Sequence, residues 1–589
     1  MKRLLNVRII TPVVFSILVL FFWQFGYRYT LFFQEPLQLF LTTGNYFWET
    51  LKLPAGFAGY LGEFFTQFYV IPFVGPLIIL FLLLLLQFLV EKIFCFYSNS
   101  NKWFVLSYLP SVIYCFVLSD EFYLLSGLIA IIIATALSLF AIHIRNGKTR
   151  AVSISALIIV AYFISGGAFF IFLFTVLVAE FIGRKKRQNY SKAPIVLLVL
   201  WLIISIVIPV LIRNYYDPVP LRQAFVSDRF HKISTVLPFP SLIMWILIPA
   251  LLWISAFFSK GITHNALVNR IAQLLILFVV AYSSYKQFPN PNAEKVKQYD
   301  YYVRHQQWEK IIELAEKDLP RNAFAVNYLN LALVKTNQLG NRLFEFRQLG
   351  SAGLFLPYDR EHLSSVFGNE ALYHVGLVNA SQQYMFEGME AIPDLRKSTR
   401  ALKRLTDVAM INGDYALASK YIDLLKNTLF YKKWAQNAEL YLYNELKINT
   451  HPDWGIKRTI RPQSDYFFSV HNIDVILLSL LHDNPNNRLA FEYLMSYYLL
   501  NKDLGSFMRY VSLGHAFDYQ YLPRSCQEAV LYVLGLQSRE AVQDNPYPIN
   551  PQTTQRLNSY VNIYTSYPDA EMRLKNDFGD TFWYYFHYR

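Results

Sequence analysis

Residues 71–90 read IPFVGPLIILFLLLLLQFLV, with no Lys, Arg, Asp or Glu among them. A helix of about twenty residues is roughly 30 Å long, the thickness of the hydrocarbon core of a bilayer. The run therefore predicts a membrane-spanning helix. Working outward, similar runs at 9–26, 103–119, 122–144, 151–165, 168–182, 194–212, 241–258 and 271–282 bring the expected spans to nine. The fifth and sixth meet at Gly166-Gly167 and read as a tight hairpin.

The apolar runs stop near residue 285. Charged residues make up 16% of the 589-residue chain, well under the roughly 25% of a soluble domain, and that deficit lies in the first part. The net charge of +13 is also uneven. Residues 286–589 carry 33 Lys and Arg against 32 Asp and Glu, which leaves 21 against 9 for residues 1–285. A basic excess confined to apolar sequence reads as membrane topology, so no nucleic-acid partner is expected. Three cysteines, Cys95, Cys115 and Cys526, are too few for a disulfide framework and read as small buried hydrophobes.

Basic residues set the orientation. Lys2, Arg3 and Arg8 precede the first run, and Arg145, Lys148 and Arg150 follow the fourth. GRKKRQ (183–188) follows the sixth, and Lys260 and Arg270 follow the eighth. The positive-inside rule makes that side cytoplasmic. With nine spans the N-terminus is then cytoplasmic and the second half lies outside, as in a multi-pass inner-membrane protein with a periplasmic domain. No small-residue cleavage site follows the first run, so it reads as a retained helix.

Acids are scarce in the membrane half. Glu35, Glu49, Glu63, Asp120, Glu121, Asp217 and Asp228 fall in outer loops or at outer span ends, and Glu91 and Glu180 near the inner face. Hydrocarbon disfavours a carboxylate, so edges and cavities are where acids belong. Asp120 and Glu121 sit together in FVLSDEFYLLSGLIA (116–130), the short outer turn between spans three and four. A turn tolerates acids, and the pair reads equally well as a site. The first outer loop, 28–70, is rich in Phe, Leu, Trp and Tyr and predicts short amphipathic helices in the interface, either a simple anchor or the floor of a cavity. The loop after span seven, NYYDPVPLRQAFVSDRFHKIST (214–235), keeps Arg222, Arg229, His231 and Lys232 outside, against the rule. A lipid phosphate and pairing with Asp217 and Asp228 both fit these cations.

Residues 286–300, KQFPNPNAEKVKQYD, read as a linker. Helical periodicity follows. Trp308, Ile311, Ile312 and Ala315 stripe one face, and Ala325, Tyr328, Leu329 and Ala332 a second. Tyr415, Ala418, Ile422 and Leu425 pair with Ala435, Ala438 and Leu442. Ala490, Tyr493, Leu494 and Tyr497 pair with Leu504, Phe507, Met508 and Val511. The helix-turn-helix size and the Trp…Ala…Tyr…Ala pattern resemble a tetratricopeptide repeat. The expected fold is thus all-α: a polytopic membrane domain (1–285), a linker (286–300) and a tetratricopeptide-like α-solenoid (301–589), whose concave face suits a protein partner. The closing DTFWYYFHYR (580–589) is expected to pack on the last helices or on the membrane interface.

The chain has no Gly-rich phosphate loop, nucleophile elbow or His-Glu-x-x-His, and its His residues make no metal-spaced cluster with Cys. Cytoplasmic loops are too short for a nucleotide-binding domain, and the scarcity of intramembrane acids argues against a proton-coupled transporter. The layout of the first 240 residues resembles the GT-C glycosyltransferases, polytopic enzymes that use polyprenyl-phosphate-linked sugars. That resemblance implies catalytic acids at Glu35 and Glu49 in the first outer loop and at Asp120 and Glu121 between spans three and four. It also implies a divalent cation on Asp120 and Glu121, no other cofactor, and a donor phosphate held by Arg222, Arg229 and His231. The first loop has no Asp, where one is common in that superfamily. The whole chain also resembles a family of functionally uncharacterised bacterial envelope proteins, which implies architecture alone. Two functions are therefore expected: a GT-C-like enzyme acting on a lipid-linked sugar at the outer face, or a non-catalytic envelope scaffold recruiting protein partners through its repeats.

Overall fold

The computed structural model describes residues 2–98, 101–186, 195–216, 221–226, 239–258, 262, 265–357, 362–392, 397–469, 471–538, 542 and 545–589. Among these the chain is all-α, with no strand beyond one isolated bridge between Leu349 and Ser351. A helix meets its own backbone N–H and C=O groups, which is what sequence this apolar requires.

The first part contains α1 (Lys2–Phe21), α2 (Arg28–Gln34), α3 (Gly44–Lys52), α4 (Gly56–Thr66), α5 (Val74–Ser98), α6 (Leu109–Val117) and α7 (Leu125–His143). It continues with α8 (Gly147–Ser165), α9 (Phe169–Lys186), α10 (Ile195–Tyr216), α11 (Leu221–Val226), α12 (Phe239–Phe257) and α13 (Ala266–Gln287). Seven helical stretches among the described residues are long and apolar enough to cross a membrane: Arg8–Gly26, Val74–Phe96, Leu125–His143, Gly147–Gly183, Ile195–Arg213, Phe239–Phe257 and Ala266–Gln287. The expected fifth and sixth spans share one of these, because only a short turn at Gly166–Ala168 separates α8 from α9. Gly166 adopts φ +52° and ψ −139° there, a region open essentially to glycine alone. The expected third span is short, Lys102–Val117. Its first half is a 3-10 stretch, Asn101–Tyr108. Pro110 then opens α6 in the first turn, where a missing N–H does no harm.

The chain divides into two compact units. One is Met1–Glu294 with Ile392–Thr399 and Leu424–Lys433. The other is Lys295–Ala391, Arg400–Asp423 and Trp434–Arg589. In the first unit α7 packs on α4, α5, α8 and α9, and α12 packs on α9 and α5. Gly62 of α4 lies so close to Ser126 of α7 that a Cβ would come within 2.7 Å of the serine Cβ. The small residue is what lets the first loop seat on the spans.

Glu91 and Glu180, the two acids expected near the inner face, are both paired. Arg8 Nη2 lies 3.1 Å from Glu91 Oε1. Arg150 grips Glu180 through Nε to Oε1 at 2.7 Å and Nη2 to Oε2 at 3.3 Å, with both side chains 2% exposed or less. The Arg150 Nη1 also donates to the Ile144 carbonyl. Arg150, counted above toward topology, is thus the bidentate partner of a buried carboxylate.

Residues 286–300, expected as a linker, are largely helical. α13 runs on to Gln287, and α14 (Pro291–Arg304) begins four residues later. Asn290 caps it by accepting from the N–H groups of Asn292 and Ala293, and Pro291 is at its first position.

The second unit takes in most of α14 and then α15 (Trp308–Lys317), α16 (Ala323–Lys335), α17 (Leu339–Arg342), α18 (His362–Val375), α19 (Val378–Glu390), α20 (Thr399–Asn412) from Arg400 onward and α21 (Tyr415–Lys426) as far as Asp423. Further along come α22 (Lys432–Glu439), α23 (Glu445–Asn449), α24 (Trp454–Ile460), α25 (Ile473–Asp483), α26 (Arg488–Leu500), α27 (Leu504–Tyr510) and α28 (Arg524–Gln537). The last helices are Pro551–Ser566, Ala570–Phe578 and Phe582–Tyr588. Consecutive helices pack as neighbours, α15 on α16, α18 on α19, α25 on α26 and α26 on α27. The predicted stripes face inward: Ile311, Ala315, Tyr328, Leu329 and Ala332 are buried. α22 stops at Glu439, so Leu442 lies in a turn that ends at Tyr443 with φ +57°. The C-terminal aromatics pack on preceding helices. Trp583 Nε1 donates to the Glu528 carbonyl and the Tyr585 hydroxyl to that of Leu500.

Removing one half of the buried pair should be far worse than replacing both halves. Arg150→Ala is expected to cost about 3–5 kcal/mol, because it strands Glu180 without its guanidinium. Arg150→Met with Glu180→Leu should cost much less. Thermal unfolding of the purified protein in detergent compares them, and equal losses would remove the pair as the cause.

Candidate functional site

Glu35 opens the short helical turn Glu35–Leu37 that follows α2 and is buried, as is Glu63 on α4. Both line one cleft, together with Gln38, Phe40, Gln67, Thr399, Thr428, Leu429, Phe430 and Tyr431. The cleft measures about 280 Å³ with its mouth included, and its throat has room for little more than a water molecule.

The walls come from distant parts of the sequence. Ser398 Oγ donates to the Pro36 carbonyl at 2.7 Å, and the Thr399 N–H and hydroxyl reach the Gln38 carbonyl at 3.4 and 3.3 Å. The Thr42 N–H and hydroxyl both donate to the Asn427 carbonyl at 2.9 Å. Phe430 meets Phe68 edge-on with ring centres 5.7 Å apart. Segments 397–399 and 424–433 are thereby built into the first unit.

Each cleft carboxylate has a tyrosine. The Tyr431 hydroxyl donates to Glu35 Oε2 at 2.9 Å, and the Tyr46 hydroxyl donates to Glu63 Oε2. α3 is set for this by Thr43, whose hydroxyl accepts from the Tyr46 N–H at its N-terminus. α2 is held by Glu294, which accepts from the Tyr29 and Thr30 N–H groups at 2.7 and 2.9 Å and from the Thr30 hydroxyl at 2.6 Å.

The expected site residues fall in different places. Glu35 lines the cleft. Glu49 is exposed on α3 and is not among the lining residues. Asp120 and Glu121 are half-buried in the turn between α6 and α7 and do not line the cleft either. Asp120 Oδ1 accepts from the Phe122 N–H at 3.0 Å, an Asx turn that shapes the reversal. The turn adjoins the first loop through a long 3.5 Å contact from Gln34 Nε2 to the Tyr123 carbonyl. Arg229 and His231 lie outside the described residues, as do Lys232, Lys260, Asp217, Asp228 and the end of GRKKRQ. Arg222 is on α11, but its side chain is outside them too. Among the described residues no group of three or more His, Cys, Asp or Glu could hold a metal ion. Asp120 and Glu121 belong to no such group.

Glu63, Gln67, Tyr46, Thr399 and Tyr431 were missed from sequence. Glu63 alone carried a signal, lying among the small residues Gly56, Ala58, Gly59, Gly62 and Thr66 that α4 buries. An acid on a face of small residues marks a carboxylate facing a close neighbour.

The second unit holds its own cluster of buried charge. Arg400 reaches Asp300 through both terminal nitrogens, at 3.1 and 2.8 Å, and Glu370 at 3.0 Å. Arg304 and the Tyr328 hydroxyl complete the Asp300 shell. Arg404 donates to Glu370 at 2.6 Å and lies 3.6 Å over the Tyr373 ring. Burial raises the pKa of Asp300, but Arg400 and Arg304 outweigh it and hold the carboxyl below its usual range. Burial pushes Asp407 up to about 6 despite Arg404 and Lys403. Lys457, 2% exposed, donates to the His374 carbonyl at 3.1 Å, and burial with Lys335 nearby lowers it to about 7. These carboxylates are already engaged by guanidinium, hydroxyl or indole partners, which makes the cluster a structural core.

An all-α architecture carrying several apolar helices of membrane-crossing length marks a membrane protein. The chain belongs to DUF6057, a family of unknown function whose model matches residues 3–589. No curated protein and no solved structure matches it.

Lys457 gives the second unit a readable pH dependence. Its folded pKa, about 7, is below the unfolded value of 10.5, so the folded state favours the neutral amine and stability falls as pH drops from 10.5 to 7. Stability should rise between pH 7 and 8.5, by at most about 1.4 kcal/mol per pH unit from this group. Lys457→Met should flatten the rise in thermal midpoint. An unchanged slope in the variant would assign the dependence elsewhere.

Proposed function

We propose that this chain is a GT-C-like glycosyltransferase that uses a polyprenyl-phosphate-linked sugar at the outer face of a bacterial inner membrane. In this reading nine helices span the bilayer, with α8, α9 and the short Lys102–Val117 stretch each counted as a span. The N-terminus is cytoplasmic, and a tetratricopeptide-like periplasmic domain follows the spans. α3, with Trp48 64% exposed, lies in the interface.

The observation that carries the proposal is the lining of the cleft. Two carboxylates, two amides, three hydroxyl side chains and two phenyl rings are the mixture that recognises sugar hydroxyls and ring faces. Glu35 acts as general base. The acceptor oxygen bonds to the anomeric carbon of the sugar as that carbon's bond to the donor phosphate breaks. The phosphate leaves with the electron pair, and the acceptor proton passes to Glu35. The narrow throat suits this, because a hydroxyl and not a whole sugar has to reach the carboxylate. Arg222, Arg229 and His231 bind the donor phosphate. A divalent cation belongs to the reading as an ion brought with that phosphate, since Mg²⁺ needs only one or two carboxylates beside phosphate oxygens.

The second reading is a non-catalytic envelope scaffold that recruits a protein through the repeats. It is favoured by the absence of Asp120, Glu121 and Glu49 from the cleft lining.

Glu35→Gln keeps the shape and removes the base. It should lower sugar transfer from a polyprenyl-phosphate donor in membranes by about a hundredfold or more, with Glu49→Gln close to wild type and equal amounts of protein. Transfer that is undiminished in Glu35→Gln, or absent from the wild type, turns the choice to the scaffold.

A further inference from the structure

We propose that the seam between α9 and α12 holds one acyl chain of a membrane phospholipid. The seam is a groove of about 770 Å³, mouth included, lined by Phe174, Leu177, Val178, Trp245, Ile246, Pro249, Ala250 and Trp253. Its origin is legible in α12. Trp245, Pro249 and Trp253 are four residues apart and share one helix face. Two indoles make high walls, and Pro249 with Ala250 makes a low floor between them. Pro249 also has no N–H to offer the Trp245 carbonyl one turn back. The Trp245 indole is held by Phe170, ring centres 4.5 Å apart, and its buried N–H has no acceptor among the described residues.

Position decides the occupant. Pro249 is near the midpoint of α12 (Phe239–Phe257), and Phe174 to Val178 are near that of the apolar part of α9. The groove thus opens at the depth of hydrocarbon, away from headgroups and water. α9 and α12 are direct packing partners, so the hollow is a seam and not a berth for a further helix. An empty seam would forfeit the dispersion contacts of its walls. The elements that line the cleft pack chiefly on α5, α7 and α8. The groove is therefore separate from the cleft, and the inference does not rest on the enzyme reading.

Native mass spectrometry of the full chain, extracted in mild detergent, tests this. The wild type should retain one phospholipid per chain. Ile246→Trp adds bulk at a groove residue that is 71% exposed, so the fold should tolerate it, and retention should fall at least fivefold. Leu274→Trp, on the exposed face of α13, should retain the lipid. Full release from the wild type, equal retention by Ile246→Trp, or a retained isoprenoid lipid would each overturn the proposal. So would a dimer that Ile246→Trp dissociates, since that places a second chain in the seam. Should Ile246→Trp not fold, quenching by phospholipids brominated at mid-chain carries the test. Trp253→Phe should remove more than the one-tenth share expected of one Trp among ten, and a smaller loss would count against the site.

Discussion

A buried carbonyl has to find a donor. The carbonyls of Pro36 and Gln38 find theirs on Ser398 and Thr399, more than 360 residues downstream. The first loop leaves the end of α2 with acceptors that its own neighbours do not meet. Segment 397–399 meets them, and segment 424–433 adds the Asn427 carbonyl for Thr42 and the Tyr431 hydroxyl for Glu35. The cleft depends on this pairing. Without the downstream segments Glu35 would lose its tyrosine, Phe68 would keep Phe64 but lose Phe430, and the cleft would lose Thr399, Thr428 and Leu429 from its lining.

Four acids of the apolar half, Glu35, Glu63, Glu91 and Glu180, are each settled by a specific neighbour, and the neighbours are of two kinds. Glu91 and Glu180 are held by arginines, in geometry that neutralises charge. Glu35 and Glu63 accept from tyrosine hydroxyls, which fixes orientation through a neutral donor. Glu294 does a third thing, closing on the N-terminal amides of α2. Position in the fold thus separates carboxylates that a composition count treats alike.

Long apolar helices were legible because hydrocarbon imposes one simple rule over twenty residues at a time, although nine runs were expected and seven helices of crossing length are found among the described residues. The helix pairs of the second half were legible because Trp308 to Ala315 and Ala325 to Ala332 keep a 3.6-residue period. Boundaries set by a single residue were harder. Asn290 and Pro291 turned a polar stretch into a helix start, and the left-handed Tyr443 closed the turn after α22. The cleft was legible only in part. Glu35 could be proposed from its loop, but Tyr431 lies 396 residues away, and no local period encodes a partner at that distance. Asp120 drew attention as an acid between apolar runs, and its Oδ1 is spent on the Phe122 N–H of its own turn.

The pairing of the first loop with segments 397–399 and 424–433 also sets an order of assembly. Ribosomes add roughly 5–20 residues per second. Glu35 therefore leaves the ribosome some twenty to eighty seconds before Tyr431 exists, for the 396 residues between them. Six of the seven apolar helices of membrane-crossing length among the described residues are made within that interval. The cleft is thus among the last features of the first unit to form, and nascent chains pass through a stage in which the spans are complete and the cleft is absent. Insertion into the bilayer and maturation of the cleft are separate events in the life of each molecule.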